Sequence, residues 1–218
     1  MYDEAMLAAD LAASPAAAAP GSPVHSKAKR ALDLLVAGGL LLALLPVLLM
    51  VAALIRLDSP GPVLFRQRRG GAFGQAFVVY KFRTMRVLED GETVRQATRD
   101  DDRITRVGTV LRRMSIDELP QLINVLRGEM SLVGPRPHAL AHDREFQSVL
   151  PDYGRRFAVK PGVTGLAQVR GFRGETREIS QIRKRLDADL EYIATWSLWT
   201  DIRVLLATLK VPLDRRAY

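Results

Sequence analysis

The chain has 218 residues, with 32 Lys and Arg against 24 Asp and Glu, which gives a net charge of +8. This length corresponds to one ordinary domain and excludes a large multidomain enzyme. The absence of cysteine excludes disulfides, iron–sulfur clusters, thiolate zinc sites and a cysteine nucleophile. The positive charge indicates an anionic partner, such as a membrane surface, a nucleic acid or a phosphorylated substrate.

The first 24 residues differ in composition from the rest of the chain. They are rich in Ala and Pro and contain acids but no Lys or Arg. This composition predicts a disordered tail over residues 1–24. The stretch lacks the basic and apolar regions of a secretory signal peptide, so we expect none here.

Residues 32–55 are, apart from Asp33, entirely Ala, Val, Leu, Ile, Met, Gly or Pro. As one straight helix they would rise about 36 Å, enough to cross the roughly 30 Å apolar layer of a bilayer. Pro46 removes a helical hydrogen bond in the middle, and basic residues flank both ends. A spanning helix, a re-entrant segment that turns near Pro46 and a buried helix of a soluble protein all stay open on these grounds.

The remainder predicts a compact domain with short strands and several helices. Strands are expected at 63–66 and 76–82, a polar loop at 87–102, and a turn at 160–165. Helices are expected at 103–113, 115–127, 139–149, 180–195 and 197–210. The last of these is amphipathic and carries Trp199, so it is either a core helix or one that lies at a membrane interface.

The most distinctive local sequence is Ser-Ile-Asp-Glu-Leu-Pro-Gln-Leu at 115–122. Ser115 and Glu118 match the capping box of a helix N-terminus, which is a purely structural interpretation. Alternatively, Asp117 and Glu118 are an adjacent acid pair that can divide the roles of nucleophile and metal ligand.

Cations surround this acid pair in the sequence and favour the second interpretation. Arg112 lies just before the pair, and Lys81 lies earlier in the chain, in the second predicted strand. Arg136 comes after the pair and is flanked by Pro135 and Pro137. An arginine on such a stiff backbone suits bidentate phosphate binding. His138 and His142 have no third ligand at a known spacing, so we interpret them as surface or hydrogen-bonding residues.

Six ordered motifs, the acid motif among them, resemble the monotopic phosphoglycosyl transferase family of bacterial sugar transferases. The resemblance covers about residue 27 to the C-terminus. The motifs are Lys-Arg-Ala-Leu-Asp at 29–33, the apolar segment with Pro46, Tyr-Lys-Phe-Arg-Thr-Met at 80–85, the acid motif at 115–122, Ser-Leu-Val-Gly-Pro-Arg-Pro at 131–137 and Lys-Pro-Gly-Val-Thr-Gly at 160–165. Later residues are similar to a glucose-transferring branch of this family.

This resemblance implies an α+β, mostly helical protein. It would have a re-entrant membrane helix at 25–57, broken near Pro46, and a small cytoplasmic catalytic domain at 58–218 with short strands and interfacial helices. The expected location is the cytoplasmic face of the bacterial inner membrane.

The resemblance also implies a reaction. Asp117 would attack the sugar-linked phosphorus of a UDP-sugar, UMP would leave, and undecaprenyl phosphate would take the sugar phosphate from the aspartyl intermediate. Glu118 would assist and hold Mg²⁺, while Lys81, Arg112, Pro135 and Arg136 would bind substrate.

Several points stay open on the sequence alone. Glucose is the expected sugar, with galactose or an N-acetylated sugar as alternatives, and the oligomeric state is undetermined, a homodimer being one option. The partners are a UDP-sugar, the polyprenyl phosphate and membrane lipid, with no nucleic acid. The competing function is a non-catalytic, membrane-tethered binding or scaffold subunit of a polysaccharide assembly system, which would not need the acid pair.

Overall fold

The computed structural model describes residues 22–86, 101–172 and 178–210 of the chain. These residues form a mostly helical α+β structure, as expected from the sequence. In chain order the elements are α1 (Lys27–Asp58), β1 (Leu64–Gly70), β2 (Ala76–Phe82), α2 (Arg106–Arg113), α3 (Gln121–Arg127), β3 (Ser131–Val133), α4 (Leu140–Val149), β4 (Gly162–Thr164), α5 (Leu166–Val169), α6 (Ile179–Ala194) and α7 (Leu198–Thr208). Short 3₁₀ turns lie at Ala72–Gly74, Ile116–Glu118 and Tyr153–Ala158.

Helix α1 contains the whole apolar segment. Its N-cap is Ser26, whose hydroxyl accepts a hydrogen bond from the Lys29 N–H at 3.2 Å. The helix continues through Pro46, so the interruption expected at this proline is not present. By length and composition α1 could cross a membrane, and none of residues 38–50 is buried.

Both ends of α1 pack on the same domain. Near its start, Ala37 is fully buried in a cluster with Val79 of β2 and Leu122 of α3. Near its end, Val51 and Ile55 are buried against residues of β2 and α2, among them Phe82 and Leu111. The apolar run therefore begins and ends against one globular body.

The strands β1 and β2 form an antiparallel hairpin whose register runs from Leu64↔Phe82 to Gly70↔Ala76. The predicted bounds of β2 are confirmed, whereas β1 extends to Gly70, beyond the predicted end at residue 66. The extension follows from the tight turn at Ala72–Gly74, which allows pairing to continue to the loop.

The second sheet corrects the prediction of a simple turn at 160–165. Strand β4 pairs in parallel with β3, with Ser131 opposite Gly162 and Val133 opposite Thr164. A side chain on Gly162 would collide with the backbone of Gly134, so this close approach requires glycine. Three-residue strands of this kind carry too little periodicity to be predicted from sequence.

Most predicted helices are confirmed to within one or two residues at their ends. Helix α2 starts at Arg106 rather than residue 103, because Thr105 caps it by accepting from the Gly108 N–H at 3.0 Å. The tail at 1–21 and the loop at 87–100 lie outside the described residues. Asp101, expected in the exposed loop, is buried and pairs with Arg103 at 2.7 Å.

The two tryptophans near the C-terminus have different surroundings. Trp196 packs against the core and its Nε1 donates to Asp201 Oδ2 at 3.2 Å. Trp199 is 57% exposed on α7, beside the exposed Leu206 and Leu209. Since its buried face carries Asp201 and Val204, α7 presents apolar side chains outward, which favours the interfacial interpretation.

Candidate active site

The acid motif forms a tight turn between α2 and α3. Ser115 adopts a left-handed conformation with φ of 56°, and Ile116–Glu118 follow as a 3₁₀ turn. The Ser115 side chain makes no capping hydrogen bond, and the N-cap of α3 is Pro120, so the capping-box interpretation is wrong. Left-handed geometry at a non-glycine residue costs on the order of 1–3 kcal/mol and is concentrated at functional sites.

Helix α3, which follows this turn, is fixed against strand β2 by Asn124. This fully buried side chain accepts from the Tyr80 N–H at 3.1 Å and donates to the Val78 carbonyl at 2.7 Å. The contact sets the position of the acid motif relative to the next residue of β2, Lys81. Asn124 is not predictable from the sequence, because a lone Asn in a helical pattern carries no distinctive signal.

Glu118 forms ion pairs with two of the predicted cations. Lys81 Nζ donates to Glu118 Oε1 at 2.7 Å. The Arg136 guanidinium binds the same carboxylate in a bidentate manner, through Nη1 to Oε2 at 2.9 Å and through a short contact from Nη2 to Oε1. All three side chains are largely buried, which strengthens these charge-assisted bonds.

The backbone around Arg136 is fixed by hydrogen bonds to three successive carbonyls. The carbonyl of Pro135 accepts from the Gly162 N–H at 2.9 Å, that of Arg136 from Arg156 Nη2 at 2.6 Å, and that of Pro137 from Arg69 Nη1 at 2.6 Å. Pro135, predicted to bind substrate, is buried and connects this loop to β4. The rigidity expected from the flanking prolines is therefore reinforced by tertiary contacts.

Arg156 is the centre of a buried polar network behind the site, which sequence reasoning missed. Its guanidinium donates to Asp189 Oδ2 at 2.9 Å and to the Tyr153 hydroxyl at 3.0 Å. Tyr153 in turn donates to Asp143 Oδ1 at 2.6 Å. His138 joins the network through Nδ1, which confirms its hydrogen-bonding role, and burial with nearby arginines holds its pKa well below the ordinary value.

The Asp117 carboxylate is the acidic group of the site that has no hydrogen-bond partner among the described residues. It accepts no hydrogen bond from any of the described residues, unlike the neighbouring Glu118. Burial and the negative charge of Glu118 raise the pKa of Asp117 to about 6, while Lys81, Arg112 and Arg136 oppose that rise. The carboxylate is therefore mostly ionised at neutral pH, partly buried and free to react.

Lys81 and Glu118 keep their charges at neutral pH. Burial lowers the pKa of Lys81 to about 8, against the effect of Glu118, so most of the ammonium stays protonated. Burial would raise the pKa of Glu118, but Arg136 and Lys81 outweigh it and hold that pKa well below the ordinary value. The two adjacent carboxylates therefore have different surroundings. Glu118 is paired with Lys81 and Arg136, whereas Asp117 has no hydrogen-bond partner among the described residues.

The acid pair also bears on metal binding. Mg²⁺ commonly takes one or two carboxylates together with water and substrate phosphate oxygens. Three of the roughly four acceptor positions of Glu118 are used by Lys81 and Arg136. One position on Oε2 and the whole Asp117 carboxylate stay available, so this oxygen donor set fits Mg²⁺ bound mainly by substrate. In the part of the chain that is described, no larger acidic or histidine cluster occurs.

Comparison with known proteins identifies the family of this chain. The model of the bacterial sugar transferase family matches residues 24–215. A UDP-glucose:undecaprenyl-phosphate glucose-1-phosphate transferase of Caulobacter vibrioides is 54% identical over 194 residues, covering 87% of this chain and 73% of that protein. The protein of the same name from Escherichia coli is 49% identical over 91% of this chain, which spans only 43% of that relative's length.

A third relative indicates how far the sugar can vary among similar proteins. It is a UDP-N-acetylgalactosamine-undecaprenyl-phosphate N-acetylgalactosaminephosphotransferase of Aeromonas hydrophila, 40% identical over 88% of this chain and 45% of its own length. Because the family model covers most of the sequence and a relative 54% identical is covered over 73% of its length, the chain belongs to the bacterial sugar transferase family.

Proposed function

We propose that this protein transfers glucose-1-phosphate from UDP-glucose to undecaprenyl phosphate and releases UMP, as a membrane step of exopolysaccharide synthesis. The observation that carries the proposal is the open, partly buried Asp117 carboxylate among three cations. The names of the relatives at 54% and 49% identity support glucose as the sugar. N-acetylgalactosamine, named for the relative at 40% identity, is the alternative that a substrate panel decides.

In the proposed mechanism Asp117 is the nucleophile. A carboxylate oxygen forms a bond to the phosphorus next to glucose, the bond from that phosphorus to the bridging oxygen breaks, and UMP leaves with the electron pair. A phosphate oxygen of undecaprenyl phosphate then attacks the aspartyl phosphosugar. The bond from that phosphorus to the Asp117 oxygen breaks, and the carboxylate is released unchanged. Two displacements with lower barriers thus replace one difficult step.

The cations of the site offset the repulsion between the anionic substrates and the anionic nucleophile. Two anionic substrates must approach an anionic nucleophile, and their repulsion is offset by Lys81, Arg112 and Arg136. Because Glu118 holds Lys81 and Arg136 in place before substrate arrives, these charges need little rearrangement. When bound through Glu118, Mg²⁺ would supply further positive charge beside the diphosphate.

Release of UMP from a panel of UDP-sugars tests the proposal, with detergent-solubilised protein, Mg²⁺ and undecaprenyl phosphate. We expect UMP release that depends on the lipid phosphate and is fastest with UDP-glucose. Lipid-dependent release with UDP-N-acetylgalactosamine alone would change the sugar but keep the reaction. If folded protein released no UMP from any UDP-sugar of the panel, the transferase function would be contradicted and a binding or scaffold subunit favoured.

We further propose that α1 anchors the protein to the cytoplasmic face of the inner membrane without spanning it. Support comes from the burial of Ala37 and Ile55, at opposite ends of α1, against one domain. A helix that crossed the bilayer would place these two ends on opposite sides, where one domain could not contact both. The exposed apolar side chains of residues 38–50 would enter the lipid, and the exposed face of α7 would lie at the interface.

Single cysteines test this topology, since the chain has none of its own. His25→Cys and Pro60→Cys place exposed thiols just before and after α1, and Lys184→Cys on α6 reports the side of the domain. A membrane-impermeant maleimide should label all three in inside-out vesicles and none in right-side-out vesicles. Labelling of positions 25 and 60 from opposite sides would show a spanning helix instead.

A further inference from the structure

A cationic cleft lies where α1 meets the domain, away from the acid motif. It is lined by the first turns of α1, by Ser131 and Val133 of β3 and by Lys160. Arg30 crosses its edge and donates to the carbonyls of Val125 and Leu126 at 2.6 and 2.8 Å, at the C-terminal end of α3. The acid motif precedes the other end of this helix, so the cleft and the reacting carboxylate are separate.

Lys160 is the charged group in this cleft that makes no direct ion pair with the described residues. Lys29 is neutralised by Asp201 at 2.6 Å, and Asp33 accepts from the Ser131 hydroxyl and the Leu132 N–H. By contrast, the Lys160 ammonium makes no hydrogen bond or ion pair with any residue in the described ranges. Burial and the positive charge of Arg30 lower the pKa of Lys160, while the Asp33 carboxylate partly opposes that shift.

Arg30 and Lys160 lie close enough together for one small anion to contact both. Arg30 Nη2 and Lys160 Nζ each lie 3.6 Å from the position that a Cβ on Gly128 would occupy, and Gly128 has no side chain there. The two nitrogens are therefore no further apart than twice that distance. A single phosphate can bridge two such nitrogens when they are about 5–7 Å apart, because charge-assisted N–H···O bonds are about 2.8 Å long.

The position along α1 indicates where such a phosphate would come from. Leu34 and Leu35, one turn after Arg30, are 40% and 75% exposed and begin the exposed apolar surface of the helix. If α1 enters the lipid as proposed above, the cleft lies at the depth of the phospholipid headgroups. Lys and Arg at this depth attract anionic lipids.

We propose that Arg30 and Lys160 form a binding site for the phosphate group of an anionic phospholipid, which fixes the entry of α1 into the membrane. The site is distinct from the reaction centre and rests on the proposed membrane anchoring. Its ligand is the headgroup phosphate of a bilayer lipid rather than either substrate of the transferase.

Thermal unfolding in detergent tests the site, with short-chain phosphatidylglycerol, short-chain phosphatidylcholine and inorganic phosphate each titrated separately. We expect phosphatidylglycerol to raise the midpoint temperature most. Lys160→Gln should weaken this binding about fivefold, the effect of one interfacial cation. Lys184→Gln, which removes an equal charge from an exposed position on α6, should leave the titration unchanged.

Two results would overturn the proposal. An equal response of wild type and Lys160→Gln to phosphatidylglycerol would exclude the site, and a Lys160-dependent response to inorganic phosphate that matches that to phosphatidylglycerol would exclude a lipid as its ligand. UMP release from the same wild-type preparation is measured in parallel. Its absence would contradict the transferase function while leaving the lipid titration interpretable.

Discussion

Asp117→Asn is expected to reduce lipid-dependent UMP release by at least about a thousandfold, because an amide cannot act as the nucleophile. The substitution keeps the size of the side chain, and the wild-type carboxylate accepts no hydrogen bond from the described residues that the variant would lose. Stability should therefore change little. Rapid acid quenching with sugar-labelled UDP-glucose, without undecaprenyl phosphate, should trap label on the wild-type protein and none on the variant.

Asp187→Asn is the matched control for this experiment. Asp187 lies on α6 with its side chain 60% exposed, so the same chemical change there should leave both UMP release and label trapping at wild-type values. An Asp117→Asn protein that turned over at a near-normal rate would disprove the covalent mechanism.

Arg156→Met is expected to destabilise the protein by about 3–5 kcal/mol, because it leaves buried charges without their partner. Asp189 and Asp143 lie within 2.9 and 3.6 Å of the guanidinium and are 2% exposed, so neither can recover its hydration without local unfolding. Burial already raises the pKa of Asp189, with Arg156 opposing that rise. For a chain of this size the midpoint of thermal unfolding should fall by roughly 10 °C.

The control for Arg156→Met is Arg183→Met, which breaks an ion pair at the surface. Arg183 and Asp152 pair at 2.7 Å, but their side chains are 38% and 34% exposed, so solvent screens the pair. We expect a loss below about 1 kcal/mol there. Similar midpoint temperatures for the two variants would show that the network around Arg156 does not stabilise the loop that carries Arg136.

The motifs that carry the resemblance anticipated which side chains lie together better than the capping-box interpretation did. Lys81, Glu118 and Arg136 lie in three separate motifs, and the structure brings their side chains into direct contact. The capping-box interpretation of Ser115 failed because it used only neighbours in sequence. The left-handed turn at Ser115 points the acid pair toward β2 and away from the end of α3.

The residues that position the site were not predictable in the same way. Asn124 and Arg156 act on backbone groups far away in sequence, and a lone polar residue within a helical pattern or a 3₁₀ turn has no signature of such a partner. The pairing of β3 with β4 was missed for a related reason. It depends on two glycine backbones approaching closely rather than on any alternation of side chains.

The sequence by itself determined the long apolar helix, the basic charge, the acid pair and the spacing of the cations. These follow from composition and local pattern, which act over one or two turns of chain. Only the tertiary structure decided that both ends of α1 contact one domain, that Glu118 is paired while Asp117 is open, and that Lys160 has no partner among the described residues. Each of these depends on which distant groups become neighbours, because burial and pairing between distant segments set the charge state and freedom of a side chain.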